Sequence, residues 1–140
     1  MIRLLLVTVL FLTSACTWAQ KPAWTKAQLM NPAELAMQLK AGKDVPVIIC
    51  VGPGASIPHS IDAGMAKDES NVEKLKAELS KLPKDTKLVI YCGCCPFEHC
   101  PNAKPAMDVL KAMNFTNYYL LNLPANLKKD WIDKGYPVTN

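Results

Sequence analysis

The chain has 140 residues, half of them hydrophobic, and a formal net charge of +4. This length suits one domain with a single core, and the apolar content argues against a disordered chain. The lysines are scattered along the chain, so we expect a solvated surface and no nucleic-acid partner.

The first 19 residues have the pattern of a secretory signal peptide. Arg3 supplies the positive charge near the N-terminus, and residues 4–15 form the apolar region. Cleavage after Ala19 would follow the usual pattern of small residues before the cleavage site. The apolar run is shorter than the ~20 residues that a membrane-spanning helix needs. We therefore expect export, periplasmic or secreted. The alternative is a lipoprotein anchored at Cys16, and only lipidation would bring a membrane partner.

After the leader, residues 20–30 are interpreted as an N-terminal linker and residues 31–140 as one domain. Helical patterns lie at residues 31–40, 71–82, 102–113 and 127–134, with Asn31 and Asn102 as expected N-caps. Strand patterns lie at residues 45–51, 87–92 and 117–121, with a short edge strand expected at 57–61. Helices and strands therefore alternate, which predicts an α/β fold: a parallel sheet with helices on both faces.

The stretch 91–102 is the densest in reactive side chains. It holds four of the six cysteines and one of the two histidines: Cys92, Cys94, Cys95, His99 and Cys100. It follows a predicted strand and precedes a predicted helix. Loops at the carboxyl ends of parallel strands are where ligands bind in open α/β sheets. This loop is therefore the candidate functional site.

Several short segments together resemble a known family. They are residues 31–35, 47–51, 57–58, 82–92, 114–120 and 131–138, the last reading Trp-Ile-Asp-Lys-Gly-Tyr-Pro-Val. Their order and spacing resemble the rhodanese family. The resemblance implies a rhodanese-like sheet of about five parallel strands. It also implies that Cys92 carries a persulfide and passes sulfur from a small sulfur donor to a thiol acceptor.

The departures from that family pattern fall near the site. Cys50 and Gly52 stand where the family has Asp and Arg, and Ser56 and His59 replace its His and Gly. The loop is longer than the usual one and carries extra cysteines instead of Gly-x-Arg-Ser. Arg3 is the only arginine, so the mature domain lacks the bidentate anion binder that thiosulfate would require. A thiol or persulfide donor is favoured.

Three chemical interpretations of the loop remain open. In the first, Cys92 is the catalytic nucleophile of persulfide transfer and Cys95 or Cys94 is the resolving thiol. In the second, Cys92 and Cys95 form a C-x-x-C redox pair that works with a partner protein. In the third, Zn²⁺ or Cu⁺ is bound by soft ligands drawn from one set: Cys92, Cys94, Cys95, His99, Cys100 and Cys50.

A non-catalytic alternative also follows from export. Removal of the leader takes Cys16 away and leaves five cysteines, enough for two disulfides and one free thiol. Such disulfides would pin a long loop without any catalysis. Cys50, on its apolar strand, would then be a small buried hydrophobic residue.

Overall fold

Five strands and four α-helices lie along residues 23–139, the part of the chain that this computed structural model describes; they alternate except that β3 follows β2 directly. The strands are β1 (Leu29–Met30), β2 (Val47–Cys50), β3 (Ile61–Asp62), β4 (Leu88–Tyr91) and β5 (Tyr118–Leu121). The helices are α1 (Pro32–Ala41), α2 (Glu69–Ser80), α3 (Ala103–Ala112) and α4 (Leu127–Asp130). The predictions of a signal peptide and of lipidation at Cys16 lie outside the described residues. Within 23–139, no helix has the length and apolar character needed to cross a membrane.

The strands form one sheet in the order β1-β5-β4-β2-β3, and every neighbouring pair is parallel. The predicted α/β class and the expected parallel sheet of about five strands are confirmed. β4 is the central strand, so the loop that leaves its carboxyl end starts between the ends of β5 and β2. This position is the one that the sequence assigned to the functional site.

Helices cover both faces of the sheet, as expected. On one face, Leu75 of α2 and Leu110 of α3 cluster with Ile90 of β4. On the other face, Leu35 of α1 and Trp131 after α4 cluster with Val89 of β4. Both sides of β4 are therefore apolar, which explains why its sequence is a continuous hydrophobic run.

The start and end of α1 agree with the sequence prediction. Asn31 is the N-cap, its Oδ1 accepting a hydrogen bond of 2.9 Å from the backbone N–H of Ala33, and Pro32 occupies the first helical position. Gly42 ends the helix in the left-handed conformation, at a φ of 61°, which glycine adopts without the steric cost of a Cβ.

Two predictions of local structure were wrong. The expected edge strand at 57–61 is a turn in which the N–H of Ser60 donates to the carbonyl of Ile57 over 3.2 Å, and β3 begins only at Ile61. Ile57 is buried instead of lying on a strand, and Pro58 has no N–H for a strand ladder. The end of the expected linker is also structured, because residues 29–30 pair with β5 as β1.

Tyr91, the last residue of β4, fixes the loop that follows β2. Its buried hydroxyl oxygen accepts hydrogen bonds from the backbone N–H groups of Ser56 (2.9 Å) and Ile57 (3.2 Å) and lies 3.2 Å from Ser60 Oγ. Buried backbone donors are costly to leave without a partner. This one phenol therefore holds the loop against the sheet.

We expect Tyr91→Phe to lower the free energy of unfolding by about 1–3 kcal/mol, because it leaves buried N–H groups without an acceptor. Urea denaturation followed by circular dichroism measures the loss. Tyr119→Phe is the matched control: it removes a hydroxyl from a half-buried tyrosine of β5 and should stay within about 0.5 kcal/mol of the unmodified protein. Equal losses in the two variants would contradict the role of Tyr91.

Candidate active site

The candidate site is the loop of residues 92–102, which joins β4 to α3. Backbone hydrogen bonds tie it to the chain segment after β5: Phe97 N–H donates to the Leu123 carbonyl (3.2 Å), and Leu127 N–H donates to the Gly93 carbonyl (3.1 Å). The ring of Phe97 is buried and lies 6.0 Å, between ring centroids, from that of Trp24. The loop is thus held by main-chain bonds and by an aromatic side chain inserted into the core.

This geometry brings four of the predicted site cysteines together: Cys92, Cys94, Cys95 and Cys100. Their Sγ atoms all lie within 4.8 Å of one another. Two pairs are in hydrogen-bond contact: Cys92–Cys94 at 3.3 Å and Cys94–Cys95 at 3.2 Å. Cys92 and Cys100 are buried, while Cys94 is exposed at the rim. We call these four residues the thiol cluster. All of them are free thiols in this structure.

Two other predicted site residues lie outside the thiol cluster, which corrects the proposed ligand set. Cys50 is in register with Tyr91, and both belong to the core on the opposite face of the sheet. Its Sγ lies 3.3 Å from the carbonyl oxygen of Gly54, and burial raises its pKa. His99 is exposed, because the short 3₁₀ turn Phe97–His99 directs Phe97 into the core.

Asn102 is a site residue that sequence reasoning assigned to another role. It stands at the N-cap position of α3, but its side chain makes no capping bond. Instead, its Oδ1 accepts a 2.9 Å hydrogen bond from the backbone N–H of Lys67, and its Nδ2 donates to Cys92 Sγ over 3.4 Å. It is 2% exposed. A buried amide therefore fixes the position of the Cys92 sulfur and favours its negative form.

Gly52 is the second residue whose role the sequence did not reveal. A Cβ atom at this position would lie 2.7 Å from Cys92 Sγ and 3.2 Å from Cys92 Cα. Both distances are too short for ordinary contacts, so the absence of a side chain lets the loop after β2 approach the thiol cluster closely. The signal in the sequence was only the Gly-Pro-Gly break after the strand.

Burial and mutual contacts shift the pKa values of the thiols in the cluster in opposite directions. The pKa of Cys92 is lowered to about 5, and the main cause is the Cys100 thiol. The backbone N–H of Cys94, the Asn102 amide and the Cys94 thiol lower this pKa further, whereas burial raises it. Donation to Cys92, together with burial, raises the pKa of Cys100. Burial and the contacts with Cys95 and Cys92 raise the pKa of Cys94 to about 12.

The site therefore offers a thiolate beside protonated thiols, a pattern suited to nucleophilic sulfur chemistry. It also brings together four sulfur atoms that could bind a soft metal ion.

The chain matches no protein-family model and no curated protein.

We expect the rate of iodoacetamide modification at Cys92 to titrate with a midpoint near pH 5, far below the value of about 8.5 for an ordinary cysteine. The rate should fall as the pH drops through this midpoint, because the thiolate is the reactive form. Asn102→Ala should move the midpoint upward, since it removes a donor to Cys92 Sγ. Peptide mapping by mass spectrometry at each pH provides the measurement.

Asn117→Ala is the control for this experiment, because Asn117 Nδ2 donates to the carbonyl of Asp85 at a different part of the molecule. Its profile should match that of the unmodified protein. A midpoint that neither variant moves, or that both move equally, would contradict the role assigned to Asn102.

Proposed function

We propose that this chain is an exported sulfurtransferase that moves sulfane sulfur between thiols, with Cys92 as its nucleophile. One observation carries the proposal: Cys92 Sγ accepts the hydrogen bond from Asn102 and lies 3.3 Å from the sulfur of Cys94. A stabilised thiolate is the form that attacks a sulfur atom, and an adjacent thiol can continue the exchange.

In the loading step, the Cys92 thiolate attacks the terminal sulfur of a small persulfide, R–S–SH. The new S–S bond joins that sulfur to Cys92, the S–S bond of the donor breaks, and R–S⁻ leaves with the electron pair. The product is a Cys92 persulfide. The start of α3, three residues beyond Cys100, presents backbone N–H groups whose partial positive charge favours anionic sulfur nearby.

The Cys92 persulfide can react in two ways. An external thiolate can attack its outer sulfur, which releases Cys92 as a thiolate and produces a new persulfide on the acceptor. Alternatively, Cys94 can attack the inner sulfur, Cys92 Sγ, while its thiol proton passes to the departing hydrosulfide; hydrogen sulfide is released and a Cys92–Cys94 disulfide remains. Of the resolving thiols expected from the sequence, Cys94 is the one in hydrogen-bond contact with Cys92, and Cys95 is in contact with Cys94. The disulfide would need a dithiol reductant, such as a redox partner protein, to restore the thiols.

Two further features support a persulfide rather than thiosulfate as the donor. Residues 23–139 contain no arginine, the side chain best suited to bind a doubly charged oxyanion. The hydrogen-bond contacts of Cys92 Sγ are the Cys94 sulfur and the neutral Asn102 amide, which suit a donor of low charge. The resemblance of the segments around Cys92 to rhodaneses favours the same reaction class. The parallel sheet is compatible with that resemblance, but it is common to many functions.

We expect Cys92→Ser to reduce transfer of sulfur from cysteine persulfide to an acceptor thiol by at least about a hundredfold, because a hydroxyl cannot replace the nucleophilic thiolate. Intact mass after exposure to the donor should show one added sulfur atom, removable by reductant, in the unmodified protein and none in the variant. Transfer that survives in Cys92→Ser would reject the proposal.

Two companion variants separate the chemistry from the fold. Cys50→Ala removes a buried thiol on the opposite face of the sheet and should load sulfur normally. Cys94→Ser should load sulfur at Cys92 but release hydrosulfide more slowly, because the resolving attack is lost. Faster hydrosulfide release from Cys94→Ser would contradict the role of Cys94.

A further inference from the structure

The thiol cluster has the dimensions of a coordination shell for one metal ion. A Zn–S bond length of about 2.3 Å in a tetrahedral site places neighbouring sulfur atoms about 3.8 Å apart. The sulfur separations here run from 3.2 Å to at most 4.8 Å, on either side of that value. Four thiolates spread over several iron atoms would need more room, so the spacing favours a mononuclear site.

The ligand atoms come from anchored parts of the chain. Cys92 directly follows the central strand β4, and Cys100 lies two residues before Asn102, the N-cap of α3. Both cysteine side chains are buried. Cys94 and Cys95 lie on the intervening loop, whose main chain is tied down at Gly93 and Phe97. Closing the sulfur shell around an ion therefore requires only side-chain rotation and small loop shifts.

The surroundings of the sulfur atoms suit an anionic metal complex. Four thiolates around a divalent ion carry a net charge of −2. Asn102 Nδ2 already donates to Cys92 Sγ at 3.4 Å, and its Oδ1 is held by the backbone of Lys67. Such an orienting hydrogen bond from outside the ligand shell is typical of metal sites. The ten-residue helix α3 starts beside the cluster and adds a favourable dipole.

We propose that Cys92, Cys94, Cys95 and Cys100 bind one Zn²⁺ ion in a closed tetrahedral site, and that zinc and sulfur compete for Cys92. An all-sulfur tetrahedral set is typical of zinc or iron–sulfur centres, and the spacing favours a single ion over the larger clusters. With all four positions filled by protein, the ion has no open position for a substrate. Zinc therefore protects the thiol cluster and blocks sulfur transfer, and its removal restores the nucleophile. Zinc binding itself does not depend on the proposed transfer activity; only the inhibition does.

The test uses the full exported protein, reduced under anaerobic conditions and freed of metal with a chelator. Native mass spectrometry after addition of zinc chloride should show one ion per chain. Addition of Co²⁺ as a spectroscopic substitute should give sulfur-to-metal charge-transfer bands and the intense visible bands of tetrahedral coordination. Cys95→Ser and Cys100→Ser should weaken zinc binding by at least about tenfold.

Two variants distinguish the loss of a zinc ligand from the loss of the fold. Cys94→Ser changes an exposed side chain and should also lose tight zinc binding while retaining the circular dichroism spectrum of the unmodified protein. Cys50→Ala should bind zinc with unchanged affinity, because Cys50 lies on the other face of the sheet. Equal affinity in all cluster variants, cobalt spectra without sulfur charge transfer, or binding of Cu⁺ but not Zn²⁺ would overturn the zinc site.

The competition between zinc and sulfur is tested by the alkylation rate of Cys92. Zinc loading should slow the alkylation of Cys92 by at least about tenfold, and a chelator should reverse the effect. An unchanged alkylation rate in the zinc-loaded protein would overturn the competition. The two proposals fail separately: a chain that binds no zinc but forms the Cys92 persulfide loses only this inference, whereas a chain that binds zinc and never carries sulfur loses only the proposed function.

Discussion

The alternation of side chains at the end of β4 is the constraint on which the rest of the site depends. Tyr91 points to the face covered by α1, where its hydroxyl holds the loop after β2, and Cys92 points to the face covered by α2 and α3. Cys50, in register with Tyr91, necessarily shares the face of Tyr91. A shift of β4 by one residue would exchange the phenol and the thiolate and destroy both arrangements at once.

A second requirement is that the loop after β2 approaches the sulfur of Cys92 closely. Gly52 permits this approach because any Cβ atom would collide with Cys92 Sγ. Tyr91 stabilises the same loop from the opposite side of the sheet through its bonds to Ser56 and Ile57. The position of the Cys92 sulfur is therefore constrained by the loop after β2, which Gly52 allows to come close and Tyr91 holds in place.

The sequence predicted the elements that have long periodic patterns and the loop that is rich in cysteine, but it did not reveal roles that depend on a single contact. The α/β class followed from alternating helical and strand patterns, and the location of the site followed from cysteines placed after a buried strand. The two-residue strands β1 and β3 are too short to carry a periodic signal. Asn102 was expected to cap α3, because an asparagine before a helix has that role most often; only the fold shows that its Oδ1 accepts from the backbone N–H of Lys67 while its Nδ2 donates to Cys92 Sγ. Likewise, His99 was grouped with the cysteines by proximity in sequence, whereas the 3₁₀ turn directs it to solvent.

Electrostatic repulsion between thiolates limits how many sulfur atoms of the thiol cluster can be negatively charged at once. Without a cation, the neighbouring Cys100 thiol lowers the pKa of Cys92 while its own pKa is raised, and a second negative charge at this distance would be repelled strongly in partly buried surroundings. The cluster then behaves as one nucleophile with protonated neighbours, which is the state that sulfur transfer needs. In the proposed zinc site, the divalent ion would remove the repulsion and allow all four sulfur atoms to bind as thiolates. The two proposals thus assign a reactive state and a protected state to the same four side chains, and because both states use Cys92 Sγ, a single chain could occupy only one of them at a time.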